Sequence, residues 1–91
     1  MRQWERESHK GIPALKGEVA FWRHRDKGFV DIDRIEKGAP AWDIGKYMVE
    51  INAPLALESR VFKTQKEARK YAKELMRDYS KRYRKYLKEV M

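Results

Sequence analysis

Cysteine is absent from this chain of 91 residues, which excludes disulfides, thiolate metal sites and cysteine nucleophiles and leaves packing to hold the fold. Side-chain amides are scarce as well, with Gln3, Gln65 and Asn52 the whole set. Together with 40% charged residues, this composition resembles the Lys/Glu-rich usage of hyperthermophile proteins. No apolar run approaches the roughly 20 residues of a membrane span. The opening Met-Arg-Gln-Trp-Glu-Arg-Glu also lacks the apolar stretch of a signal peptide. A cytoplasmic protein without membrane contact is the expectation. His9 and His24 are the only histidines, too few for a zinc site.

What is present is basic charge, unevenly placed. The formal charge is +8, and residues 64–91 hold ten Lys/Arg against four acids. Within that segment Lys66, Lys70, Lys73, Arg77, Lys81, Arg84 and Lys88 recur at intervals of three or four, which places them on one line of a helix. Shifted by two positions, Ala68, Ala72, Leu75, Tyr79, Tyr83, Tyr86 and Val90 repeat the intervals as an apolar stripe, the face to be buried. Glu67, Glu74, Asp78 and Glu89 stay off the basic line, although helix surfaces gain from mixing signs at these spacings. An unmixed line suits a polyanion. Thr64 and Glu67 stand at the spacing of a capping box, so the helix is expected over 65–90, roughly 38 Å long. A seven-residue strand covers only about 23 Å, so the helix should outrun its sheet.

Upstream, Glu18 to Ile35 reads as a hairpin around Asp26-Lys27-Gly28, with Gly28 in the left-handed last position of a three-residue loop. Pairing outward sets Arg25 opposite Phe29, Arg23 opposite Asp31 and Trp22 opposite Ile32. Ala20, Trp22, His24, Val30 and Ile32 then share an inward face, with His24 as a core histidine. Phe21, Arg23, Arg25, Phe29, Asp31 and Asp33 share the outward one, with Arg23 placed to neutralise Asp31. Residues 36–45 read as a loop, with Trp42 as its buried anchor. Residues 46–62 read as a second hairpin, setting Glu50 against Arg60 and Val49 against Val61. Residues 1–17 read as an N-terminal arm in which Trp4 docks. The expected architecture is a single α+β domain over 1–91: a three- or four-stranded antiparallel sheet from two hairpins, one face covered by a long C-terminal helix.

Two segments resemble known families. Residues 16–32, Lys-Gly-Glu-Val-Ala-Phe-Trp followed by Asp-Lys-Gly-Phe-Val-Asp-Ile, look like the opening hairpin of cold-shock domains. By that resemblance Lys27, Gly28 and Phe29 would match the family's first nucleic-acid motif, with Phe21 beside them on the same face, and the aromatic rings would stack on single-stranded bases. Residues 46–76, with Val61-Phe62-Lys63-Thr64-Gln65-Lys66-Glu67-Ala68 and Tyr71-Ala72, resemble the sheet-to-helix junction of integrase arm-binding and plant ethylene-response-factor domains. Those families lay a three-stranded sheet in the major groove of DNA, with the helix behind it.

No convergent catalytic set is visible, so neither an enzyme nor a cofactor nor a small-molecule substrate is expected. The leading expectation is a basic, non-enzymatic nucleic-acid-binding protein with little sequence preference, DNA or RNA. Its contacts would come from Lys66, Lys70, Lys73, Arg77, Lys81, Arg84 and Lys88, with Arg23, Arg25, Lys27 and Phe29 of the hairpin. The alternative is a structural subunit that forms a homo-oligomer through its projecting helix and N-terminal arm.

Overall fold

A computed structural model of the chain describes residues 3–9, 17–36 and 38–90. Gly11 and Pro13, read above as part of the arm, lie outside the described residues. Five strands, β1 (Trp4–Glu7), β2 (Glu18–His24), β3 (Phe29–Arg34), β4 (Tyr47–Ala53) and β5 (Ala56–Phe62), precede one helix, α1 (Gln65–Val90). The strands form a single antiparallel meander in the order β1-β2-β3-β4-β5. The α+β class is as expected, with one strand more than the upper expectation: Trp4–Glu7 of the arm pairs with β2.

Alternation decides which face of the sheet is covered. Ala20, His24, Val30, Ile32, Val49 and Ile51 are buried beneath Ala68, Ala72 and Tyr79 of α1, with Trp4 and Trp22 packed against the cluster. The two alanines suit close approach of a helix to a sheet. Thr64 caps α1: its hydroxyl accepts from the Glu67 amide at 3.2 Å and donates to the Glu67 carboxylate at 2.9 Å. The carboxylate therefore bonds the capping hydroxyl, a variant of the reciprocal box. Burial fades along the apolar stripe, with Tyr79 buried, Tyr83 half-buried and Tyr86 43% exposed. The last turns of α1 extend past the sheet, and the molecule measures 47 × 26 × 20 Å. Among the described residues no helix is long and apolar enough to cross a membrane.

Three details of register depart from expectation. In the first hairpin Arg23 faces Phe29, Trp22 faces Val30 and Phe21 faces Asp31, a shift of two residues that preserves both faces. The left-handed loop residue is Lys27, at φ 77°, not Gly28. Gly28 serves a different need, since a Cβ there would lie 2.3 Å from the Ala53 Cβ on β4. In the second hairpin the loop is Pro54-Leu55, and Glu50 faces Ser59 while Val49 faces Arg60. That one-residue slip turns Val61 to the open face and Glu58, Arg60 and Phe62 to the helix side.

Trp42 is not a buried anchor either; it is 74% exposed. Its loop closes through the backbone instead. Ile35 donates to the Lys46 carbonyl at 2.9 Å, and Gly45, at φ 87°, donates to that of Ile35 at 2.9 Å.

The expected core role of His24 holds, at 1% exposure. Its Nδ1 lies 2.9 Å from Asp26 Oδ1 and its Nε2 lies 3.1 Å from Gln3 Oε1. The rings of Trp4, Tyr79 and Tyr83 pack edge-on around it. Tyr79 donates to Asp26 and accepts from the Leu55 amide, while the Trp4 indole donates to Met76 O and Ser80 Oγ. Burial alone would raise the Asp26 carboxyl, but hydrogen bonds from Tyr79 and the Gly28 amide, with His24 beside it, hold it below the ordinary value. Burial and the Asp26 bond together push the Tyr79 hydroxyl up. This cluster ties β1, both hairpin turns and α1 together, and so fixes where the outward face of the helix points.

Candidate nucleic-acid interface

The helical period that buries Ala68, Ala72 and Tyr79 turns the basic line outward. Lys66, Lys70, Lys73, Arg77, Lys81, Arg84 and Lys88 are all exposed. Among the described residues none of the seven joins an ion pair. A shallow open groove of about 550 Å³ runs along the first turns between Gln65, Lys66, Arg69, Lys70 and Lys73. Ammonium and guanidinium groups held in a row on a rigid element can meet successive phosphates without needing a fixed base sequence.

The hairpin residues sit elsewhere, on and beside the open face of the sheet. Arg23 is engaged within the chain: it donates to Lys27 O at 3.2 Å, approaches Glu7 at 3.6 Å and lies over the Phe21 ring at 5.0 Å. It does not face Asp31, because the register places Phe29 opposite Arg23. Phe29 stacks on Phe21 with centroids 5.1 Å apart, and His9 meets the Phe21 ring edge-on. Phe21 is thereby only 8% exposed although it belongs to the uncovered face. Lys27 and Arg25 are exposed at the hairpin loop. The structure thus divides the candidate residues into a helix row and a hairpin group, and does not join them in one surface.

The open face has a character that the one-strand view of Asp31 and Asp33 did not reveal. The registers set Glu18 opposite Asp33 and Glu50 opposite Asp31, gathering four carboxyls on adjacent strands. Burial, then Asp33, Glu50 and Glu18, push Asp31 up to about 8, and burial also raises Asp33. The Asp31 Oδ1 atom is enclosed without a hydrogen-bond partner. His9 links Glu18 of this group to one further acid, with Nδ1 2.8 Å from Glu18 and Nε2 3.4 Å from Glu7. Among the described residues no group of three or more potential ligands is placed to hold a metal ion. A polyanion approaching this face meets like charge, and the only signal for it in the sequence was the Asp31/Asp33 pair.

Compared with family models, curated proteins and solved structures, the chain matches none.

Proposed function

We propose that this protein is a non-enzymatic nucleic-acid-binding protein that grips phosphates through the outward face of α1 with little reading of bases. The observation that carries this reading is the unmixed exposed row from Lys66 to Lys88, lying on the side of the molecule opposite the carboxyl-rich open face. Such a charge distribution orients the molecule as well as attracting it, since one side draws the phosphate backbone and the other repels it. Within this reading the helix row makes the main contacts, while Arg25 and Lys27 at the hairpin loop add secondary ones. The cold-shock-like use of Phe21 and Phe29 as a stacking platform has less support, because Phe21 is covered by its neighbours.

The test is a titration with duplex DNA, single-stranded DNA and RNA over a range of salt. Expected is sequence-tolerant binding whose log affinity falls linearly with log salt, by about 0.9 per neutralised phosphate on duplex and about 0.7 on single strands. Absence of binding at low ionic strength, or salt-independent binding, overturns the reading.

A further inference from the structure

The two edges of the sheet are not alike. β1 is four residues long, carries Glu5, Arg6 and Glu7, and is held to α1 by Trp4. β5 runs seven residues without proline, glycine, lysine or a break in its register with β4. Short length, proline, bulges and lysine are among the devices that blunt edge strands, and β5 has none of these; the charges it does carry, Glu58 and Arg60, are one of each sign. Leu57 and Val61, 76% and 41% exposed, stand on the open-face side of this edge.

Backbone direction follows from the turn. Ala53 and Ala56 flank the two-residue loop Pro54-Leu55. Residues in that position exchange both hydrogen bonds, and bonded and non-bonded pairs alternate along the hairpin from there. Ala56, Glu58, Arg60 and Phe62 accordingly turn their N–H and C=O groups toward β4. Leu57, Ser59 and Val61 turn theirs outward, to the free edge.

We infer that β5 is an interface for a second copy of this chain, the two strands antiparallel about a two-fold axis at Ser59. In that register Leu57 faces the partner's Val61, Ser59 faces the partner's Ser59, and Val61 faces the partner's Leu57. All are outward-turned residues, as a bonded pair requires. On the helix side Glu58 faces the partner's Arg60, and Arg60 faces the partner's Glu58. Both are exposed. The backbone permits the neighbouring registers only in steps of two. One such step sets Glu58 against the partner's Glu58, and the opposite step sets Arg60 against the partner's Arg60. Like charges directly opposite are destabilising, so the strand's own sequence selects the Ser59 register and no other of comparable overlap.

The contact is isologous and closes after two copies, which is how an edge of this kind avoids growing into a fibre. Both exposed apolar side chains gain a cross-strand partner in each copy. The axis runs perpendicular to the sheet, so the two helices lie on the same side and their basic rows share one surface. The interface itself does not depend on nucleic acid. A single strand pair makes a small interface, so the dimer should dissociate on dilution.

Solution mass of the whole chain, measured by analytical ultracentrifugation over a concentration series, tests this. The unmodified protein is expected to move from the mass of one chain to that of two. Glu58→Arg alone and Arg60→Glu alone each put like charges opposite in the homodimer, and each is expected to remain a monomer. Mixed together, the two variants restore both ion pairs, and a heterodimer is expected by native mass spectrometry. Ser59→Pro keeps the bonds to β4 but removes an outward N–H, so circular dichroism should stay unchanged while the dimer is lost. A chain that keeps single-chain mass at every concentration overturns the inference. So does a dimer that survives in either single variant, or a mixture of the two variants that stays monomeric.

Discussion

The two solvent-facing surfaces of this molecule differ in how their charge is made. On α1 the basic row comes from one continuous segment, each side chain exposed and outside any ion pair among the described residues. On the open face of the sheet the acids come from β1, β2, β3 and β4, crowd one another, and in Asp31 give up the charge near neutral pH. A helix sets residues three or four apart at about 5–6 Å between Cβ atoms, but on an exposed face water holds their repulsion to about 0.2–0.5 kcal/mol per pair. A sheet sets cross-strand neighbours about 4.5–5.5 Å apart, where burial and repulsion act together. Charged side chains therefore make a ready electrostatic surface on one side and a proton-holding cluster on the other.

The basic row is where this contrast is most open to challenge. Reversing Lys73, Arg77 and Lys81 to Glu is expected to abolish binding at moderate salt and to lower any residual salt slope by about 3, roughly one for each phosphate left without its cation. All three side chains point away from the buried stripe, so circular dichroism and the unfolding midpoint should stay near those of the unmodified protein. Binding that survives intact would mean that the row is only a solvated face.

Trp4→Ala probes the contrast from the side of stability. The indole is half-buried against His24 and Tyr79 and donates to Met76 and Ser80, so its removal is expected to cost about 3 kcal/mol in denaturant unfolding, at the low end for a large aromatic. Because the row is untouched, affinity measured well below the unfolding midpoint should not change. A parallel weakening of affinity would show that the row depends on how the sheet edge is docked.

Next in size is the pH response of the open face. The Asp31 carboxyl is raised from 3.8 to about 8 in the folded chain, so between about pH 4 and pH 8 the folded state holds more protons than the unfolded one. Stability must then fall as pH rises through that window and level off above it. Asp31→Asn mimics the protonated acid, and is expected to flatten the profile and stabilise the protein at pH 8 by on the order of 2 kcal/mol, after discounting for the water that reaches the cluster. Thermal midpoints at pH 5 and pH 8 check this. A variant whose midpoints keep the original pH dependence would place the proton elsewhere.

Legibility followed the range of the interactions. The bounds 65–90 of α1 and its two stripes were readable because a cap and a period of 3.6 are local properties. The faces of the first hairpin were readable although its partners were displaced by two, since an even shift preserves alternation. That displacement came from assigning Gly28 to the turn, when its lack of a side chain answers to Ala53 on another strand. β5 was read one residue out of step, and one residue is enough to exchange the faces of Arg60 and Val61. β1 was missed because four residues, three of them charged, carry too little alternation to stand out from a loop. Of the carboxyl cluster only Asp31 and Asp33 were visible, because Glu18 and Glu50 join them through cross-strand pairing alone.

The smallest expected effect concerns the end of α1 that reaches past the sheet. A cut at Tyr79 would also remove Ser80, Arg82 and Tyr83, which hold Trp4, the Leu55 carbonyl and the His24 ring. The better cut leaves those anchors in place. Ending the chain at Lys85 removes Tyr86, Leu87, Lys88, Glu89, Val90 and Met91, of which Tyr86 and Val90 are exposed and Lys88 is the last member of the basic row. The unfolding midpoint should be essentially unchanged, because isolated terminal turns add little once the packed stripe has ended. Affinity should weaken only by what Lys88 supplies at a single phosphate, seen as a drop of about 1 in the salt slope. Solution mass should keep its concentration dependence, since β5 is untouched. If the cut instead removes dimerisation while sparing the salt slope, the projecting turns assemble copies of the chain, and the basic row ends functionally at Arg84.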